Sequence, residues 1–214
     1  MFLYVFCKFA IHYICKYEML KLDVTLQLGD RWFFTPGATL NPLATLVEFY
    51  HNSVGANGHL EIDFAIDRTG GIAPTHAAAF RQFGSWIRSC YGEPVATGAL
   101  AAGRTSMELQ LPAEGPVVDR VRMEEDQHAG QRIVDYVVEA RAGNDGWQRI
   151  SSGTTVGATR IDLLYGTVTA GSTLRFSVVT GFGKPRGLTL AAFAPGPCAL
   201  EAFEYDTGSE GGRS

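Results

Sequence analysis

The chain has 214 residues, a formal net charge of −4, and 46% hydrophobic against 19% charged residues. This composition is typical of a globular protein that is long enough to build its own core. The acidic balance and the lack of clustered lysine and arginine argue against nucleic acid as a partner. The four cysteines are Cys7, Cys15, Cys90 and Cys198. They form no CxxC pair, which predicts reduced, partly buried thiols rather than a disulfide framework or a zinc site.

The first 21 residues are apolar and aromatic, but Lys8 and Lys16 interrupt them. No stretch reaches the roughly 18 to 20 apolar residues that a membrane span requires. A signal peptide would place positive charge before the apolar run and small residues at a cleavage site, and neither is present here. We therefore expect residues 1–21 to be a poorly fitting apolar leader, with no membrane partner, and we leave the compartment unassigned.

The next segment, up to residue 92, predicts two strands that alternate with two helices. LDVTLQL (22–28) alternates apolar and polar residues, as a strand does. Asn41 and Pro42 suit a helix start, as its cap and its first residue. The stretch GHLEIDFAI (58–66) alternates again, and a second helix is predicted over 74–91.

The polar face of the second strand carries two carboxylates, Glu61 and Asp63. Three interpretations are open: a solvated sheet face, a degenerate active-site mouth, or a working acid/base pair. Residues two apart along a strand are separated by about 6.5 Å, which permits a pair without arguing for one.

From residue 97 the pattern changes to short strands separated by glycine, proline, asparagine and aspartate, which is typical of an antiparallel sandwich. The predicted fold class is therefore α+β in two parts, with a flexible tail over 201–214. Alternation predicts that Val117, Val121 and Phe176 face the sandwich core and that Arg120 and Arg122 face outward. The predicted strands are 106–111, 117–123, 132–140, 147–151, 159–165, 173–179 and 187–193.

Three stretches resemble the plant and bacterial branch of the α-L-fucosidases, glycoside hydrolase family 29. They are LDVTLQLGDRWFFTP, YHNSVGANGHLEIDFAIDRTGGI, and the pair HAGQRIVDYVVEA and GWQRISSGTTVGATRI. The last pair is the most specific, because HxGQRI and SGTTVG at this separation are hard to obtain by chance. The resemblance spans about residues 22–195.

This resemblance implies that residues 22–92 are the last units of a (β/α)₈ barrel and that residues 97–200 are a galactose-binding-like β-sandwich. It implies a function in the hydrolysis of α-L-fucosides, with a fucosylated glycan as ligand and no cofactor. Members of the family are lysosomal or secreted. Three possibilities are open under this resemblance. The chain would be a truncated or degenerate fucosidase that is inactive alone, or it would be a fragment of a complete enzyme, or a second chain would complete its barrel. The alternative is a non-catalytic β-sandwich that binds a carbohydrate or a partner.

The resemblance also decides which catalytic residues can be expected. The family's Asp nucleophile lies on an earlier strand that this chain does not contain, and its acid/base Glu falls on Lys21, with Glu18 at the wrong offset. We therefore predict no catalytic residue, and the enzymatic status stays open. The resemblance implies substrate binding by Asp23, Trp32 and Asp63.

Two further groups have competing interpretations. The aromatic run Trp32 to Phe34 would be either a platform that stacks on a sugar or packing at a barrel end. His128, Gly130, Gln131 and Arg132 would form either a structural turn, in which Gly130 bends the chain and the two long side chains bind loop carbonyls, or a contact to a glycan; the structural turn is favoured. The remaining histidines are isolated, so no metal site is predicted.

Overall fold

The computed structural model describes residues 23–203, with side chains from residue 28 onward. The predicted leader, Glu18, Lys21 and most of the predicted tail lie outside this part of the chain. The elements are β1 (Asp23–Gln27), α1 (Leu43–Asn52), β2 (His59–Asp63), α2 (Pro74–Tyr91), β3 (Ala96–Leu100), β4 (Ser106–Gln110), β5 (Val118–Glu125), β6 (Ile133–Arg141), β7 (Gln148–Thr154), β8 (Arg160–Val168), β9 (Thr173–Gly181) and β10 (Leu188–Phe193), followed by two short 3₁₀ helices, Gly196–Cys198 and Leu200–Phe203.

The first part of the molecule, from β1 to α2, is called here the βα part. Its two strands pair in parallel, with Asp23 opposite His59 and Gln27 opposite Asp63. Helix α2 has the predicted bounds, and Pro74 occupies its first turn, where a missing N–H costs no hydrogen bond. The cap position of α1 is Pro42, one residue later than predicted, and its side chain makes no cap bond.

The second part is an antiparallel β-sandwich. One sheet has the strand order β3-β10-β5-β8 and the other β4-β9-β6-β7. The side chains of Val121, Met123 and Phe176 are fully buried between the sheets, as predicted. Strand β3 was not predicted, because ATGAL has small residues and no alternation of large apolar side chains. It adds an edge to the first sheet by pairing with β10.

The register prediction failed at one end of β5. Val117 is 38% exposed, whereas Val118 is fully buried. The pairing of β5 with β8 contains an irregularity between Val118 and Arg120. An irregularity of this kind, like a β-bulge, breaks the alternation of side chains between the two faces of the strand. Counting every second residue back from Val121 therefore gives the wrong face for the residues before the irregularity.

The outer face of the sheet β3-β10-β5-β8 is covered by the βα part rather than by water. Phe83, Trp86 and Tyr91 of α2 form a second core with Ala191 and Phe193 of β10. This second core is the structural link between the two parts.

Arg120 and Arg122 lie on this outer face, as predicted, but there they pack against the βα part rather than face open solvent. Arg120 is only 9% exposed, and its Nε and Nη2 each donate to Asp119 at 2.7 Å. The guanidinium of Arg122 lies over the Phe193 ring at 5.3 Å and donates to the Tyr91 carbonyl. Both arginines therefore pack at the junction of the two parts.

The prediction of reduced cysteines is also wrong for two of the four. Cys90, at the end of α2, forms a disulfide with Cys198, which follows β10. Both residues are buried in the second core, and the indole of Trp86 donates to the Cys198 carbonyl at 3.1 Å. Cys7 and Cys15 lie outside the described residues. The bond joins residues 108 positions apart, and it ties α2 to the end of the sandwich.

Candidate functional site

A cavity of about 210 Å³ lies where β1 and β2 end. The two strands are parallel, so their carboxyl ends open on the same side, which is where ligands bind in parallel α/β folds. The backbone N–H of Leu28 donates to the Asp63 carbonyl at 2.8 Å and holds the two strand ends together. The cavity is lined by Leu28, Gly29, Arg31, Trp32, Asp63, Phe64, Ala65 and His76.

Two of the three residues expected to bind substrate meet in this cavity. Trp32 is 65% exposed, so most of its indole surface is free to contact a ligand. Asp63 ends β2 and presents an exposed carboxylate. An aromatic face, a carboxylate and the guanidinium of Arg31 are the kinds of group that bind a polyhydroxy compound. Phe33, although exposed, does not line the cavity.

The third expected residue, Asp23, is not brought to the cavity by the backbone. It begins β1 opposite His59, whereas the cavity lies beyond Gln27 at the other end of the strand pair. Four residue steps of a strand span about 13 Å. The side chain of Asp23 lies outside the described part of the chain.

The carboxylates Glu61 and Asp63 occupy different surroundings. Both are exposed, but only Asp63 lines the cavity. On the opposite face of β2, Leu60 and Ile62 pack against the second core, as the alternation predicted. Among the described residues the cavity thus holds a single carboxylate.

The loop between β2 and α2 returns the chain to the same cavity. Oδ1 of Asp67 accepts from the N–H groups of Thr69 and Gly71 at 2.8 and 2.9 Å, and also from the Thr69 hydroxyl at 2.6 Å. These bonds lower the pKa of Asp67, with the hydroxyl bond as the largest cause. An isolated bridge pairs Ile66 with Ile72. The loop is therefore closed on itself, and it places the first turn of α2 beside the end of β2.

That first turn contributes His76, a residue that sequence analysis set aside as isolated. Its side chain is only 8% exposed and lines the cavity. The available signal was its position, the third residue of a helix that follows the strand carrying Asp63. Periodicity could not show that the intervening loop folds back.

HAGQRI and SGTTVG, the most specific of the resembling motifs, contribute no residue to the lining of this cavity and instead meet the turn after α1. The Asn57 Oδ1 accepts from Ala158 N–H at 2.6 Å, and its Nδ2 lies 3.4 Å from Gln131 Oε1. Gly157 has φ +64°, and a Cβ there would clash with the Asn57 side chain, so glycine is strongly favoured. We call Asn57, Gln131, Gly157 and Ala158 the junction latch.

The rest of the HAGQRI motif is structural, as predicted. Gly130 turns the chain with φ +77°. Arg132 donates to the Phe182 carbonyl at 3.2 Å, and Gln131 Nε2 lies 3.4 Å from the Ile133 carbonyl. His128 instead bonds Asp126 at 2.7 Å on the surface. These contacts organise loops and leave no catalytic arrangement at the motif.

A second cavity, of about 470 Å³, lies where α1 and α2 meet the sandwich. Burial raises the pKa of Tyr91 to about 12, so its hydroxyl stays protonated and bonds His51 Nε2 at 2.6 Å. Burial, and to a lesser extent the charge of Arg120, lower the pKa of His51 to about 4. Arg120 itself is held by Asp119. Because these polar groups already bind one another, we place the candidate site at the first cavity.

Within residues 23–203, no group of three or more His, Cys, Asp or Glu side chains could hold a metal ion. No helix in the same range is long and apolar enough to cross a membrane.

Comparison with known proteins shows what the chain is similar to. No family model matches the chain. α-L-Fucosidase 1 of Arabidopsis thaliana is 24% identical over 173 residues, which cover 66% of this chain and 34% of that protein. The structure of a proposed α-L-fucosidase from Bacteroides thetaiotaomicron VPI-5482 superposes with a TM-score of 0.72 at 28% identity, over 79% of this chain and 39% of that one. The chain is similar to these α-L-fucosidases in sequence and in fold.

Other structures agree at the level of the fold. A family 29 fucosidase of Ruminococcus gnavus, solved in complex with fucose, superposes with a TM-score of 0.67 at 21% identity, over 81% of this chain and 41% of that one. The chain described here matches 34%, 39% and 41% of the length of these three proteins, in the order given above.

Proposed function

We propose that this chain forms one side of the sugar-binding site of an α-L-fucosidase-type glycoside hydrolase. In this proposal the βα part (residues 22–92) is the end of a (β/α)₈ barrel, and residues 97–200 are a galactose-binding-like sandwich. The observation that carries the proposal is the meeting of Trp32 and Asp63 in one cavity at the carboxyl ends of parallel strands. Barrel enzymes bind their substrates at that face.

The same cavity argues against hydrolysis by these 214 residues alone. A retaining glycosidase needs two carboxyl groups about 5 to 5.5 Å apart, one as nucleophile and one as acid/base. Asp63 is the one carboxylate that the described residues supply to the cavity. We therefore propose that the fucosylated glycan is bound here and that the remaining catalytic groups come from further barrel strands, either of a longer chain or of a second chain. No cofactor is required.

Turnover is tested with an aryl α-L-fucoside and the 214-residue protein, by following release of the aryl alcohol. We expect no release above the uncatalysed rate. Clear turnover that disappears in Asp63→Asn would contradict this expectation and would make Asp63 a catalytic carboxylate.

Sugar binding is tested separately, by calorimetric titration with L-fucose. Trp32→Ala should weaken binding, because the exposed indole lines the cavity. Phe33→Ala is the matched control, since Phe33 is exposed but lies outside the lining. Equal affinities in the two variants would remove the sugar site from this cavity.

The alternative of a sugar-binding sandwich receives less support from the described residues. The sandwich tryptophan, Trp147, has the guanidinium groups of Arg141 and Arg175 stacked on its ring at 4.4 and 4.1 Å. Arg175 is in turn held by Glu139 at 2.7 Å. A ring already engaged by two cations is a poorer platform for a sugar than the free indole of Trp32.

A further inference from the structure

His76 has an unusual environment for a polar side chain. It is more than nine-tenths buried, and its Nδ1 is sealed from solvent without a hydrogen-bond partner among the described residues. Leaving a buried polar atom unpaired is unfavourable, because the atom loses its hydrogen bonds to water and gains none in the protein. A purely structural position in this helix would be filled at lower cost by an apolar residue.

The sealed nitrogen decides where the imidazole proton sits. A neutral imidazole has one N–H donor and one bare nitrogen. Among backbone groups an orphaned buried N–H is rarer than an under-satisfied acceptor, and we apply the same preference to the imidazole ring. The favoured tautomer therefore keeps Nδ1 bare and carries the proton on Nε2. Because His76 lines the cavity, this leaves an N–H donor for a ligand.

The neighbouring groups complete a recognisable pattern. Asp63 offers a carboxylate that only accepts, whereas His76 offers a donor, and both line the same cavity. A hydroxyl group both donates and accepts, so a pair of sugar hydroxyls satisfies both side chains at once. The lining also carries the Arg31 guanidinium, so its charges are of both signs, and a neutral ligand with several hydroxyl groups suits it better than a simple ion.

We propose that His76 is a ligand-contacting residue of the cavity, where its Nε2–H donates to a hydroxyl oxygen of a neutral sugar that also bonds Asp63. This inference rests on the proposed function, because it takes the cavity to be the sugar site, and it adds a contact on the helix after the strand. It makes His76 a binding residue rather than a catalytic one.

The test is titration of the full 214-residue protein with L-fucose. His76→Leu should weaken binding at least about tenfold, which is the effect of losing one hydrogen bond to a buried group. His76→Gln, whose amide N–H can reach the Nε2 position, should stay within about threefold of the original affinity. His59→Leu, at the exposed opposite end of β2, is the control. A direct readout is the ¹⁵N shift of the His76 ring, which should indicate the Nε2–H tautomer and move on addition of L-fucose.

The outcomes separate this inference from the proposed function. L-Fucose binding that depends on Trp32 and Asp63 but is unchanged in His76→Leu would overturn the inference alone. So would a His76 ring signal that does not move at saturation, and this reading holds even where His76→Leu fails to fold. Absence of any L-fucose binding by the unsubstituted protein would overturn both.

Discussion

The two parts of this chain differ in how they build their cores. The sandwich encloses its own core between two four-stranded sheets. The βα part has only two strands, and its apolar side chains are completed by sandwich residues such as Ile161, Ala191 and Phe193. The dependence is therefore one-sided: the sandwich can stand without the βα part more readily than the βα part without the sandwich.

The largest expected effect comes from opening the sandwich core. Phe176 is fully buried and lies 5.6 Å from the Tyr136 ring. Phe176→Ala should lower the free energy of unfolding by about 3 to 5 kcal/mol, through lost burial and the cavity left behind. Val179→Ala, on the same strand but 67% exposed, should stay within about 0.5 kcal/mol. Urea unfolding followed by circular dichroism measures both, and equal midpoints would show the strand register to be wrong.

A smaller effect, confined to the βα part, should follow from breaking the disulfide. Cys198→Ser should cost about 2 to 4 kcal/mol, because the bond restrains a long loop in the unfolded chain. Limited proteolysis should then cut residues 28–91 well before the sandwich. Cys90→Ser and the double variant should behave identically, since each removes the same bond. Faster cleavage of the sandwich than of the βα part would reverse the proposed dependence.

The junction latch should contribute less than the disulfide. Asn57→Ala removes the acceptor of the Ala158 N–H and places alanine at φ +64°. We expect a loss of about 1 to 3 kcal/mol, because alanine is strained at this φ; the exposed Ala158 N–H can bind water instead. Asn52→Ala, at the exposed end of α1, provides the comparison. If thermal unfolding midpoints of the two variants coincide, the latch does not hold the parts together.

The smallest effect concerns pH. His51 has a pKa of about 4 in the folded protein, because of burial and then the charge of Arg120, against about 6.5 when unfolded. Between these values the unfolded chain binds a proton that the folded chain does not, so stability is full above pH 6.5 and falls as the pH drops toward 4. After allowance for solvent screening we expect a loss of about 1 to 2 kcal/mol. His51→Gln should flatten this part of the stability profile, and an unchanged slope would assign it to other groups.

Sequence patterns were most informative where one physical rule dominates. The bounds of α2 were predicted correctly, since its apolar stripe and Pro74 leave little choice. The strand β2 was also located correctly, with Leu60 and Ile62 facing the second core. In both cases the pattern reflects a single buried face.

The failures arose where distant residues meet. Arg120 and Arg122 alternate with buried residues as surface arginines would, but the outer face of their sheet is covered by α2. Cys90 and Cys198 are far apart in the chain, and only the packing of α2 on β10 brings them together. His76 was missed for the same reason, because its significance depends on a loop that folds back onto Asp63.

The disulfide also changes what a cut in the sandwich would do. All strands from β3 to β10 lie between Cys90 and Cys198, so this half of the protein is a covalent ring attached to α2. A protease that nicks an exposed turn inside the ring, such as residues 142–146, opens the backbone without releasing a fragment. The nicked protein should run as one species on a denaturing gel without reductant and as two pieces with it. A gel run with reductant would therefore reveal a backbone cut that the Cys90–Cys198 bond conceals on a gel run without it.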